Sequence, residues 1–177
     1  MALSLANGDA VWEGTVALPK GTTELERVAD ITSSPVVSGK TICAVAFQGR
    51  VACFDLGSGN LVWARDMSSA VGLAIDSRYL YVTDEKSAVH ALDLASGASL
   101  WKQDALSLRR VSAPLLHRGL VVVADVQGVA HFLNREDGAF AARVSTDGSP
   151  VVAPMQALGQ SLLIQTNKGG LFAIEAE

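Results

Sequence analysis

The sequence predicts an all-β protein, a β-propeller of four-stranded antiparallel blades, with about four blades in the 177 residues. Three observations predict it. A tight turn followed four residues later by a tryptophan position recurs along the chain. The segments between these turns alternate as strands do. No segment longer than about ten residues carries a convincing helical period.

The repeat is visible in four places. Ser4-Leu5-Ala6-Asn7-Gly8 leads to Trp12, and Asp55-Leu56-Gly57-Ser58-Gly59 leads to Trp63. Asp93-Leu94-Ala95-Ser96-Gly97 leads to Trp101, and Asn134-Arg135-Glu136-Asp137-Gly138 leads to Ala142. The glycines follow one another at intervals of 51, 38 and 41 residues. That period suits a propeller blade of roughly 40–50 residues. An Asp or Asn at a strand end can bond the backbone of its own turn, and glycine supplies the positive φ that other residues resist. Trp12, Trp63 and Trp101, with Gly59, Gly97 and Gly138, are therefore structural repeat residues. Each tryptophan is a large apolar group with one N–H to place, suited to wedging neighbouring blades together.

The strands follow in order. The chain opens on what reads as the outermost strand of a blade, Ala10 to Val16, so residues 1–17 form the end of a blade. One full blade over about 33–66 has strands at Val36-Val37, Thr41 to Phe47, Arg50 to Leu56 and Leu61 to Arg65. The next, over 70–104, has Val71 to Ile75, Tyr79 to Thr83, Ala88 to Leu94 and Ser99 to Lys102. The third, over 111–145, has Pro114 to Leu116, Leu120 to Asp125, Val129 to Asn134 and Phe140 to Val144. The last, over 150–177, has only three strands: Pro154 to Ala157, Leu162 to Thr166 and Gly170 to Ile174. Glu24 to Val28 has room for one helical turn. Hairpin tips are expected at Gln48-Gly49, Gln127-Gly128 and Lys168-Gly169.

If Gln48-Gly49 is a two-residue loop, Cys43 faces Phe54 and Cys53 points to the opposite face. No disulfide is expected on that register, and two buried thiols are the plain expectation. A one-residue shift of the register would make the bond possible, so the pair leaves the redox compartment open.

Composition narrows the function classes. Hydrophobic residues make up 49%, charged residues 18%, and the formal net charge is -4. A mildly acidic domain is a poor binder of phosphate backbones, which call for clustered Lys and Arg. No apolar run approaches the roughly 18 residues of a membrane helix. Met1–Gly8 lacks the basic and long apolar regions of a signal peptide, so Met1 reads as the start of a truncated stretch.

The enzyme reading is the quinone dehydrogenase, whose propellers share this blade repeat. Asp30, Asp76, Asp84, Asp125 and Asp137 are scattered carboxylates, most at strand ends where turn capping explains them. The vicinal cysteine pair of those enzymes is absent, since Cys43 and Cys53 lie ten apart. His90 and His131 share one repeat position, but Ala52 and Phe172 stand there in the other blades and cannot ligate a metal. His117 stands alone before a turn. No spacing resembles a zinc site, a phosphate loop or a nucleophile motif. No catalytic, cofactor or metal residue is therefore assigned. A generic peptide-binding propeller is the other alternative.

Gly21-Thr22-Thr23-Glu24-Leu25-Glu26-Arg27 ahead of Asp30 and Pro35, then Ala46 to Gly59, Leu100-Trp101, Ala113-Pro114-Leu115, Val121 to Asp125 and Leu162 to Gln165, carry a closer likeness. In order and spacing the chain resembles the C-terminal half of the BamB family of outer-membrane protein assembly factors. The resemblance implies half of an eight-bladed ring and a non-enzymatic scaffold at the periplasmic face of the outer membrane. It implies a lipid anchor upstream and no cofactor. It implies binding to the POTRA domains of BamA, with Leu25, Arg27, Asp30 and Thr32 on the partner-binding surface. The family carries an Asp-x-Asp element there; Asp30 matches the first acid, whereas Thr32 replaces the second and lowers the charge. The incomplete last blade and the opening strand are complementary in kind, so a strand-exchanged homodimer is one expected route to closure.

Overall fold

The computed structural model describes residues 1–17 and 30–175. The described elements are all strands, arranged as stacked antiparallel meanders. An N-terminal ribbon joins β1 (Ala2–Leu3) and β2 (Ala10–Trp12). Blade 1 comprises β3 (Val36–Ser38), β4 (Thr41–Val45), β5 (Arg50–Asp55) and β6 (Leu61–Asp66). Blade 2 comprises β7 (Leu73–Ile75), β8 (Tyr79–Thr83), β9 (Val89–Asp93) and β10 (Ser99–Gln103). Blade 3 comprises β11 (Leu115–His117), β12 (Leu120–Ala124), β13 (Val129–Asn134) and β14 (Phe140–Ser145). A three-stranded sheet follows, with β15 (Gln156–Leu158), β16 (Ser161–Gln165) and β17 (Leu171–Glu175). Every sheet runs in sequence order, and the first strands contact one another in the series β3, β7, β11, β15.

The middle strands of blades 1 to 3 are apolar on both faces because each of these sheets is covered on both sides. In β8, Leu80 and Val82 pack toward blade 1, against Val45, Trp63 and their neighbours. Tyr79 and Tyr81, on the other face, pack toward blade 3 with Trp101, Val121 and Val123. In β12 the alternate residues Val122 and Ala124 join Leu162 and Ile164 of the last sheet. Period-two alternation thus sorts one apolar run into two separate inter-blade cores.

Two expectations need correction. The opening segment is not a single strand. The Ser4–Gly8 turn folds Ala2–Leu3 back onto Ala10–Trp12, giving a two-stranded ribbon. Past Trp12 the backbone leaves the sheet, and the Thr15 and Val16 carbonyls accept hydrogen bonds from the Arg50 guanidinium. β2 pairs with β1 and not with β17, which has no fourth partner among the described strands.

The second correction concerns register. Val45 pairs with Val51, and the Ala46 N–H donates to the Arg50 carbonyl, so the tip is the three-residue loop Phe47-Gln48-Gly49. The β8–β9, β12–β13 and β16–β17 tips are also three residues long, and Phe47 in addition bridges to the Asp30 backbone in both directions (2.7 and 3.4 Å). Gln48 absorbs the bend at φ 50°. The extra loop residue shifts every pair by one, sets Cys43 opposite Cys53, and the two form a disulfide. The sequence reading expects buried free thiols; the shifted register is the physical reason they are absent.

Candidate functional site

The repeat residues form one device used three times. The indole N–H of Trp12 donates to the Leu56 carbonyl at 2.9 Å, that of Trp63 to Leu94 at 2.7 Å, and that of Trp101 to Arg135 at 2.9 Å. Each acceptor lies three residues before the turn glycine of the next sheet. Each ring covers that glycine. A Cβ on Gly59 would come within 2.6 Å of Trp12, one on Gly97 within 2.6 Å of Trp63, and one on Gly138 within 2.5 Å of Trp101. The glycine is required twice over, for positive φ and for the close approach of the ring. Two residues beyond the tryptophan, Arg65 donates to the Gly97 carbonyl and Gln103 to the Gly138 carbonyl. The turns themselves are held by Asp55 and Asp93, whose carboxylates accept the backbone N–H and hydroxyl of Ser58 and Ser96. Those hydroxyl and amide bonds hold both carboxyls below their ordinary range.

The inter-blade segments and the β4–β5, β8–β9, β12–β13 and β16–β17 hairpin tips share one end of the sheets. Ser69 donates to the Ala46 carbonyl, Leu108 to Lys86, Thr146 to Gly128 and Asn167 to Pro150. Asp30 and Thr32 belong to this end. Asp30 is exposed, and its backbone is fixed to Phe47 while its side chain faces solvent. Thr32 is also exposed, but its hydroxyl is engaged, donating to the Ala70 carbonyl at 2.7 Å. Exposed Ile31 stands between them, 44% accessible. Leu25 and Arg27, with the Glu24–Val28 turn, lie outside the described residues.

The other carboxylates cap turns. Asp76 accepts the Arg78 and Tyr79 N–H groups, Asp84 those of Lys86 and Ala88, and Asp137 that of Ala139. Asp125 does more. It is fully buried, accepts the Gln127 and Val129 N–H groups on one oxygen, and on the other accepts Arg109 Nε at 2.6 Å and His131 Nε2 at 2.8 Å. Burial pushes the Asp125 carboxyl up, but the bonds from His131, Val129, Arg109 and Gln127 outweigh it and hold it below the ordinary value. Burial also pushes the His131 imidazole down, against the pull of Asp125. His90 makes the matching bond to Asp84 at 2.8 Å, and His117 bonds the Gln160 carbonyl. The shared histidine position is therefore paired with an Asp six residues earlier, a spacing that could have been read from Asp84/His90 and Asp125/His131. Arg109 carries no such signal, since it arrives from the preceding inter-blade segment. Among the described residues no group of three His, Cys, Asp or Glu is placed to hold a metal ion.

Known proteins place this arrangement. Residues 1–103 match the family described as outer membrane protein assembly factor BamB. A relative of that name from Bordetella pertussis is 44% identical over 99% of this chain and 46% of its own length. One from Burkholderia pseudomallei is 42% identical over 97% of the chain and 45% of its own length. The chain thus spans about half the length of the curated relatives it matches. The crystal structure of BamB from Moraxella catarrhalis superposes with a TM-score of 0.89 at 25% identity, covering 98% of this chain and 52% of that one. The strand order, the repeated tryptophan turns and the match over residues 1–103 agree: the chain belongs to the family of outer membrane protein assembly factor BamB.

Proposed function

We propose that the chain is part of a non-enzymatic scaffold of outer-membrane β-barrel assembly, and that it binds the POTRA domains of BamA through the sheet end bearing Asp30. The observation that carries the reading is Asp30 itself: a solvent-facing carboxylate on a segment whose backbone is clamped to Phe47. A charge held on a rigid support loses little freedom on binding, and loops on such supports are where recognition concentrates. Thr32 contributes less than a second acid would, because its hydroxyl is spent on Ala70. Leu25 and Arg27 complete the proposed surface in sequence. The Cys43–Cys53 disulfide supports a periplasmic setting, since such bonds persist in oxidising compartments.

The test is a titration of the chain with the POTRA domains. Asp30→Ala lowers the affinity by about 1 kcal/mol if the contact lies at the rim, and by roughly 2 kcal/mol or more if it is desolvated. Equal affinity in a folded Asp30→Ala variant would overturn the role of this end. Addition of pyrroloquinoline quinone with calcium separates scaffold from dehydrogenase. The scaffold reading expects no change in the thermal midpoint, whereas a bound cofactor raises it in proportion to dose.

A further inference from the structure

We infer that the cleft between the 105–109 segment and strands β13 and β14 is a binding site for a phosphate oxyanion, free or as a monoester, held by Arg109, His131 and Arg143.

The cleft has a volume of about 340 Å³, within the range of small-molecule sites. Arg109, His131, Arg143 and Ser145 supply the polar part of its lining, and no carboxylate lines it. Arg109 enters from the segment that joins blades 2 and 3. Its Nε is committed to Asp125 at 2.6 Å, while its two Nη groups have no partner among the described residues. Arg143 comes from the other wall. It pairs with His131 across β13 and β14, so the two side chains share one face. Its guanidinium lies 4.2 Å from the Phe140 ring, and that ring meets the His131 ring edge-on at 5.9 Å. Arg143 is exposed and has no acidic partner among the described residues.

The independent observation is a buried nitrogen with nothing to bind. His131 is 2% accessible, and its Nδ1 has no hydrogen-bond partner among the described residues. Nε2 donates to Asp125, so Nδ1 of the neutral ring is a bare acceptor. Burial, helped by Arg109 and Arg143, favours that neutral ring against the pull of Asp125. The site therefore sets two guanidinium groups, which call for anionic oxygens, beside one acceptor, which calls for a hydroxyl proton. A phosphate oxyanion supplies both. A phosphomonoester loses its last proton at about pH 6, so near neutrality it offers a P–OH to Nδ1 at little cost while its other oxygens take the guanidinium N–H groups. Sulfate and carboxylates are anionic but carry no such proton there. The blade repeat does not require this arrangement. In blade 2, His90 makes the same bond to Asp84, but its strand partner is Lys102, which reaches Asp104, and residues 67–72 include no arginine.

The test titrates the whole chain, labelled with nitrogen-15, at about pH 6.5 with inorganic phosphate, glycerol 3-phosphate and sulfate at matched ionic strength. The expected result is saturable movement of the His131 Nδ1 and Arg143 Nε resonances at about 1 mM phosphate or monoester. The tighter of the two identifies the source of the oxyanion. Sulfate binds at least about tenfold more weakly. Arg143→Gln, an exposed change, weakens phosphate at least about tenfold while the Trp12, Trp63 and Trp101 indole N–H resonances stay in place. The inference is overturned if neither phosphate moves His131 Nδ1, or if His90 responds equally. It is equally overturned if sulfate matches phosphate, or if Arg143→Gln binds as the parent does.

Discussion

Trp63 lies over Gly97 of the next blade, its N–H on the Leu94 carbonyl at 2.7 Å, so that any side chain at position 97 must displace the ring. The relationship separates two costs that a single glycine substitution usually mixes. Gly97→Ala forces an alanine to φ 71° and drives its Cβ into the indole. Gly39 has φ 56° with nothing within 4 Å, so Gly39→Ala meets only the backbone cost. Urea denaturation is expected to show a loss of about 1 kcal/mol at Gly39 and roughly 2–4 kcal/mol at Gly97. Equal losses at the two sites would mean that the ring does not hold the blades together.

The buried His131–Asp125 pair sets a pH dependence with a definite sign. Burial depresses the His131 imidazole below its ordinary value near 6.5, so the folded state favours the neutral ring. As pH falls through about 6.5 the unfolded chain takes up a proton that folded His131 declines, and stability falls until the depressed value is passed. Asp125 is also depressed, so its contribution is lost only at lower pH, below about 3.9. Unfolding free energy is therefore expected to decline between pH 7.5 and 5. His131→Phe should flatten that decline relative to the parent, even if it lowers stability throughout by leaving Asp125 with one partner fewer. An undiminished slope in the variant would contradict the assignment.

The disulfide closes a short loop between residues separated by 10 in sequence. A crosslink of that span removes about 2–3 kcal/mol of loop entropy from the unfolded chain. Cys43→Ala/Cys53→Ala is expected to lose that much by denaturant titration, and reduction of the parent should lower its midpoint to match. Intact mass before and after alkylation reads the bond directly: no free thiol in the unreduced protein.

The blade repeat was legible because its chemistry is local. Asp55-x-x-x-Gly59 and Asp93-x-x-x-Gly97 cap their own turns, and strand alternation needs only neighbours. That the tryptophans join blades was also legible from their recurrence. Their partner glycines were not, since pairing Trp12 with Gly59 requires the stacking order of the sheets. The cysteine pairing failed because the tip is one residue longer than the Gln48-Gly49 signal implies, a length that the β8–β9, β12–β13 and β16–β17 hairpins share. The buried Asp125 cluster escaped because Arg109 reaches it from another segment. Asp30 was picked out by family resemblance alone; its exposure and its clamp are structural facts that its own sequence neighbourhood does not announce.

The most direct test of the assembly-scaffold account is hydrogen–deuterium exchange of the chain with and without the POTRA domains. The two ends of the sheets are distinguishable by peptide. The account predicts new protection at Asp30 to Ser34 and at the adjoining tip Phe47 to Gly49, with the turns at Gly59, Gly97 and Gly138 unchanged. Protection confined to those turns, or none anywhere at saturating partner, would contradict it.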